Sequence, residues 1–135
     1  MALDRITVDL LSTSMELDST WRDVGGEIPV IPDETLGFYT DVDINDSSGV
    51  MFRFMNKLSP DATNEYVELQ STSTTGSAVT LVAKEHKLDT DADQKVCIQY
   101  AVNNVVPYVQ IQAKVQSAGP VSSLLLSATI RHSTR

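Results

Sequence analysis

Val105 to Ile130 reads VVPYVQIQAKVQSAGPVSSLLLSATI, and this stretch decides the fold. Val109, Ile111, Ala113 and Val115 alternate with Gln110, Gln112, Lys114 and Gln116. A two-residue period sends successive side chains to opposite faces of a strand, so one face is buried and the other meets water or a partner. Ser117-Ala118-Gly119-Pro120 breaks the run. Leu124, Leu126, Ala128 and Ile130 then resume the alternation close to the last residue. The reading is an all-β chain whose last strand lies inside a sheet.

Working back from that pair, Val96, Ile98, Tyr100 and Val102 form a strand closed by Asn103-Asn104. Val79, Leu81 and Ala83 begin another, read as running on through Glu85 and Lys87. Ser71 to Ser77 is a polar, low-complexity hairpin tip. Tyr66 to Gln70 is a short strand. Val50 to Leu58 is the most apolar segment, with Val50, Phe52 and Phe54 facing one way and Met51, Arg53, Met55 and Lys57 the other. Two partly apolar faces predict a central strand covered on both sides, one cover being offered to another subunit. Leu36 to Ile44 is a strand, Ile28 to Pro32 an edge segment limited by Pro29 and Pro32, and Arg5 to Leu11 a half-buried strand. Residues 1–20 read as an extended stretch carrying that first strand. No segment carries a sustained 3.6-residue apolar stripe. The sum is a single-domain β-sandwich or jelly roll, 1–135, of eight or nine antiparallel strands.

Composition narrows the function. The 135 residues carry a net charge of −8, which repels phosphate backbones, and no basic cluster with interleaved aromatics offsets it; nucleic-acid binding is not expected. No apolar run approaches the ~20 residues of a membrane helix, and the first residues lack the pattern of a signal peptide, so no membrane partner is expected. The one cysteine, Cys97, can form no internal disulfide and is expected as a small packed residue.

Candidate chemistry is sparse. Asp89, Asp91 and Asp93 space three carboxylates by two, as at the start of a Ca²⁺ loop, but Gln94 and Tyr100 stand where that loop needs Gly and Glu. A solvated acidic turn is the expectation, a looser Ca²⁺ site the alternative. Asp41, Asp43, Asn45 and Asp46 could hold a glycosidase pair, yet only Tyr39 shares their face as a sugar platform. His86 and His132 lack metal-ligand spacing, and no Gly-x-Ser-x-Gly elbow occurs. Trp21, before Gly25-Gly26, either plugs one end of the core or is an exposed anchor. No catalytic, cofactor or metal residue is assigned, and the chain is not expected to be an enzyme. Gln110, Gln112, Gln116, Asn103 and Asn104 instead read as a neutral polar face for protein contact, with Met51 and Met55 as adaptable contact residues.

Taken together, the polar stretch before Trp21, the strand Val50-Met51-Phe52-Arg53-Phe54, the segment Pro107 to Val115 and the terminal Ala128-Thr129-Ile130-Arg131 resemble the small capsid decoration, or cement, proteins of tailed phages. The resemblance implies a structural virion protein made in the host cytoplasm. It would act as a homo-oligomer, a trimer by that analogy, clamping the major capsid protein on the outer capsid surface through several modest contacts. It implies no catalytic residues. A carbohydrate-binding module using Trp21, Tyr39 and Tyr108, or a tail or receptor-binding accessory, is the alternative.

Overall fold

The computed structural model describes residues 5–11, 15–31, 35–44, 49–73, 79–88, 94–102, 107–116 and 124–133. Thirteen strands appear among them: β1 (Arg5–Asp9), β2 (Met15–Glu16), β3 (Arg22–Asp23), β4 (Ile28–Pro29), β5 (Thr35–Ile44), β6 (Val50–Lys57), β7 (Glu65–Val67), β8 (Leu69–Ser73), β9 (Val79–Ala83), β10 (His86–Leu88), β11 (Gln94–Ala101), β12 (Tyr108–Val115) and β13 (Leu124–Ser133). A single turn of 3-10 helix, Ala62–Asn64, precedes β7, its entry capped by the Asp61 carboxylate, which accepts from the Thr63 amide.

All pairings are antiparallel. One sheet runs β1-β13-β5-β11, with β2 continuing the β1 edge of β13; the other runs β10-β6-β12-β3, with β4 beside β12 and β7 beside β6. The pairs are nested: β1 with β13, β3 and β4 with β12, β5 with β11, and β6 with β10. A long hairpin rolled up so that its outermost strands meet first and its innermost last is a jelly roll, two Greek keys forming two packed sheets. The sequence-based count of eight or nine matches the eight positions of this frame; the excess comes from short strands. β3 and β4 are one frame position broken at Gly25, whose φ of +70° admits glycine readily; an added Cβ would lie 2.6 Å from the Leu10 carbonyl oxygen.

Two expected strands split. Tyr66 to Gln70 divides into β7 and β8, and the run from Val79 divides into β9 and β10. The reason is a two-stranded ribbon, β8–β9, that belongs to neither sheet. Its base is closed by the Lys84 amide on the Glu68 carbonyl (2.8 Å) and a Lys84–Glu68 ion pair at 4.0 Å, so the chain leaves and re-enters the frame there.

The core lies between the sheets. Leu36, Phe38 and Val42 of β5 and Tyr100 of β11 face Val50, Phe52 and Phe54 of β6 and Val109, Ile111, Ala113 and Val115 of β12. Four aromatic rings tie the layers together. Phe38 meets Phe52 and Phe54 edge-on at 5.3 and 6.5 Å, and Tyr100 stacks on Phe54 at 4.5 Å. The Tyr100 hydroxyl donates to Asn56 Oδ1 at 3.0 Å, which satisfies two polar groups at the edge of the core. Burial pushes that phenol well above its ordinary pKa.

Candidate functional site

Three surfaces of this frame carry groups that the core does not use. The first is the outer face of the β6–β12 sheet, made by Met51, Arg53, Met55 and Lys57 opposite Lys114, Gln112, Gln110 and Tyr108. The sequence offered this face to a partner. The structure corrects that expectation: Gln110 is 2% exposed, Gln112 7%, Met51 8% and Met55 7%. The chain covers them itself. Trp21, just ahead of the Arg22–Ala113 pairing, lies against the Arg53 guanidinium (4.3 Å) and the Lys114 ammonium (4.9 Å). Gln112 accepts from Arg53 Nε at 2.8 Å and donates to Asp23 Oδ1 at 2.9 Å; Gln110 donates to the Gly25 carbonyl at 3.1 Å. Trp21 is therefore neither a core plug nor a free platform. It is half-buried, held between two cations.

The strap from Asp18 to Val30 that brings Trp21 here is bonded along the whole of β12. Val115 N donates to Asp18 O, Val24 N to Ile111 O and Val30 N to Pro107 O. Asp18 also binds the Arg22 guanidinium and the Thr20 amide, and these bonds hold its carboxyl below the usual range, Arg22 contributing most. At the far end Lys57, its side chain 4% exposed, donates to Glu27 at 3.1 Å with Glu65 at 3.6 Å. Burial opposes the Lys57 charge, but the two carboxylates hold its pKa above the ordinary value.

The second surface is the β8–β9 ribbon. Leu69 is 53% exposed and Leu81 62%, with Val82 and, on β7, Tyr66 also exposed. Register sets Leu69 opposite Ala83 and Leu81 opposite Ser71, so both leucines share one face of the ribbon. Exposed apolar side chains gathered on an element outside the core mark contact surfaces more often than ordinary solvent-facing ones do. The sequence signal was present in the alternation of Val79, Leu81 and Ala83; only topology revealed that, among the described residues, the ribbon joins neither sheet.

The third is the flank where β10 and β11, edge strands of opposite sheets, stand apart. A cleft of about 280 Å³ opens between them, lined by Phe52, His86, Lys87, Leu88, Val96, Cys97 and Ile98. His86 is half-buried, edge-on to Phe54 at 5.6 Å; burial keeps its imidazole pKa below the usual value, Lys84 adds to this and Glu68 opposes it. Cys97 is exposed on the outer side of β11, which corrects its expected burial: the strand alternates, with Val96, Ile98 and Tyr100 turned to the core and Lys95, Cys97 and Gln99 turned to solvent.

The remaining candidates do not converge. Tyr39 and Asp41 are exposed on the outer side of the other sheet, so Trp21, Tyr39 and Tyr108 do not share a surface. Asp89, Asp91 and Asp93 lie outside the described residues, as do Asn45, Asp46, Asn103 and Asn104. Among the described residues no three metal-ligating side chains gather, and no helix is long and apolar enough to cross a membrane.

No protein-family profile matches the sequence, and no curated protein matches it. The fold has solved counterparts. The chain is similar to VP2 of infectious bursal disease virus in its subviral particle, with 9% identity, a TM-score of 0.60 and 98% of this chain aligned. It is similar to the subunit of T=1 particles derived from the same virus, with 11% identity, a TM-score of 0.59 and the same coverage. The Gx strain structure gives 10% identity and a TM-score of 0.52. The chain spans about a third of the length of these proteins, 33% and 32% of the first two. At such identities the likeness is one of fold, a jelly roll shared with a viral capsid protein.

Proposed function

We propose that this chain is a structural virion protein, a decoration subunit that binds the outer surface of a phage capsid and contacts the major capsid protein. The observation that carries the proposal is the β8–β9 ribbon: a rolled sandwich that has closed its own polar face still presents Leu69 and Leu81 to solvent on an element outside the frame. A two-stranded ribbon is marginal alone, and docking on another protein would both stabilise it and remove that apolar surface from water. The jelly roll shared with a capsid protein supports the virion setting, and the sequence resemblance to tailed-phage cement proteins supports the outer shell. On this reading the chain binds rather than catalyses, and acts as a homo-oligomer whose copies reinforce one another's modest contacts. No observation favours the carbohydrate-binding alternative, because its three rings are dispersed.

Co-sedimentation with undecorated capsids tests the reading. Wild-type protein is expected to pellet to a fixed number of copies per capsid at micromolar concentration. The double change Leu69→Asp with Leu81→Asp is expected to weaken binding more than tenfold while the circular dichroism spectrum stays that of the wild type. Failure of the wild-type protein to pellet overturns the proposal.

A further inference from the structure

The flank between β10 and β11 carries an inference that goes beyond the virion reading and does not depend on it. β11 has eight residues and pairs on one side only, with β5, among the described residues. Edge strands of this length are usually blunted by charge, proline or bulges. β11, Gln94-Lys95-Val96-Cys97-Ile98-Gln99-Tyr100-Ala101, has one lysine, no proline and no acid. Beside it lies the cleft, mostly apolar with His86 and Lys87 on its β10 side, and Val96 and Ile98, which should belong to the core, are only half-buried there.

We propose that β11 is an interface for a second copy of this chain, two β11 strands pairing antiparallel about a two-fold axis through Cys97. Three features of the strand select that occupant and that register. An axis through a residue pairs inward side chains with inward ones, whereas an axis between residues sets inward against outward. Centred on Cys97, the register sets Val96 against Ile98 of the partner subunit and Ile98 against Val96 of the partner subunit. The two clefts then merge into one apolar layer. Charge agrees. In a chain of net charge −8 most surfaces repel their own copy, but here Lys95 faces neutral Gln99 of the partner subunit. The result is one continuous sheet across the pair, an isologous contact.

Sedimentation of the purified full-length protein, with mild oxidation by oxidised glutathione, tests this. Expected are a concentration-dependent dimer and a Cys97–Cys97 disulfide, since residues facing each other in an antiparallel pair have Cα atoms about 4.5–5.5 Å apart, within disulfide reach. Gln99→Lys is expected to weaken the dimer roughly tenfold by setting two pairs of like charges opposite each other, and Lys95→Glu added to it to restore the affinity. Cys97→Asp is expected to give a folded monomer. All three positions are exposed, so the variants should keep the fold. A wild-type chain that stays monomeric and does not cross-link overturns the proposal and leaves the edge to a strand of another protein. An oligomer indifferent to Gln99→Lys and Cys97→Asp overturns it equally. Neither result bears on capsid co-sedimentation through the β8–β9 ribbon: a monomer removes only the homo-oligomer from the proposed function, and failure to pellet leaves the β11 pairing standing.

Discussion

β12 and β11 have the same length and the same kind of pattern, with aliphatic residues on one face and glutamine, lysine or another small polar group on the other, yet their outer faces live in opposite environments. Gln110 and Gln112 of β12 are buried and hydrogen-bonded. Lys95, Cys97 and Gln99 of β11 are exposed. Position in the sheet makes the difference. β12 is flanked on one side by β6 and on the other by the Asp18–Val30 strap, whose Trp21 reaches across two cations; β11 is the last strand of its sheet. A polar face is therefore not by itself a solvent face, and a glutamine can be a structural bracket.

The sharpest way to break this comparison lies on the inner faces. Ile111→Ala, at a site with no exposure, is expected to lower unfolding free energy by about 2–5 kcal/mol in urea titrations. Ile98→Ala, half-buried, should cost roughly 1 kcal/mol at concentrations too low for self-association. Equal losses would mean that β11 is as enclosed as β12. On the outer faces, Gln112→Leu strips a partner from both Arg53 and Asp23 and should cost about 1–3 kcal/mol, whereas Gln99→Leu should stay within about 0.5 kcal/mol. Trp21→Ala removes the cover over Arg53 and Lys114 and should cost about 1 kcal/mol, read by circular dichroism because the sole tryptophan is gone.

The smallest expected effect is a pH dependence at the open flank. A histidine whose folded pKa is depressed stabilises the fold above its unfolded pKa of about 6.5, and that contribution is lost as pH falls through the folded value. Between pH 7.5 and 5.5 the melting temperature should drop slightly, and His86→Gln should flatten that slope. Asp18 and Glu27, both depressed, act in the same direction but at lower pH, from the ordinary carboxylate range downward.

What could be read in the chain follows these contrasts. The inner faces of β5, β6, β11 and β12 were legible because apolar alternation is a local property, and the two-sided burial of β6 was legible in the apolar residues on both its faces. The break at Gly25 was legible as a turn. That the chain would bond Gln110 and Gln112 itself was not, because it depends on Asp23 and Gly25, some ninety residues from β12 in sequence, arriving beside them with Trp21 on Arg53 and Lys114. The ribbon was missed for the same reason: Leu69 and Leu81 look like core residues until strand order denies them a sheet to pack on.

Sequence alone settled that this protein is built of strands, since a two-residue period permits no other regular structure and the turn residues cut it at strand length, and it pointed to a sandwich or jelly roll. Tertiary structure alone decided which polar face closes and which edge stays open. Those outcomes depend on which strand lies next to which, and neighbours in a rolled hairpin are set by chain return over long distances rather than by any residue's own preference.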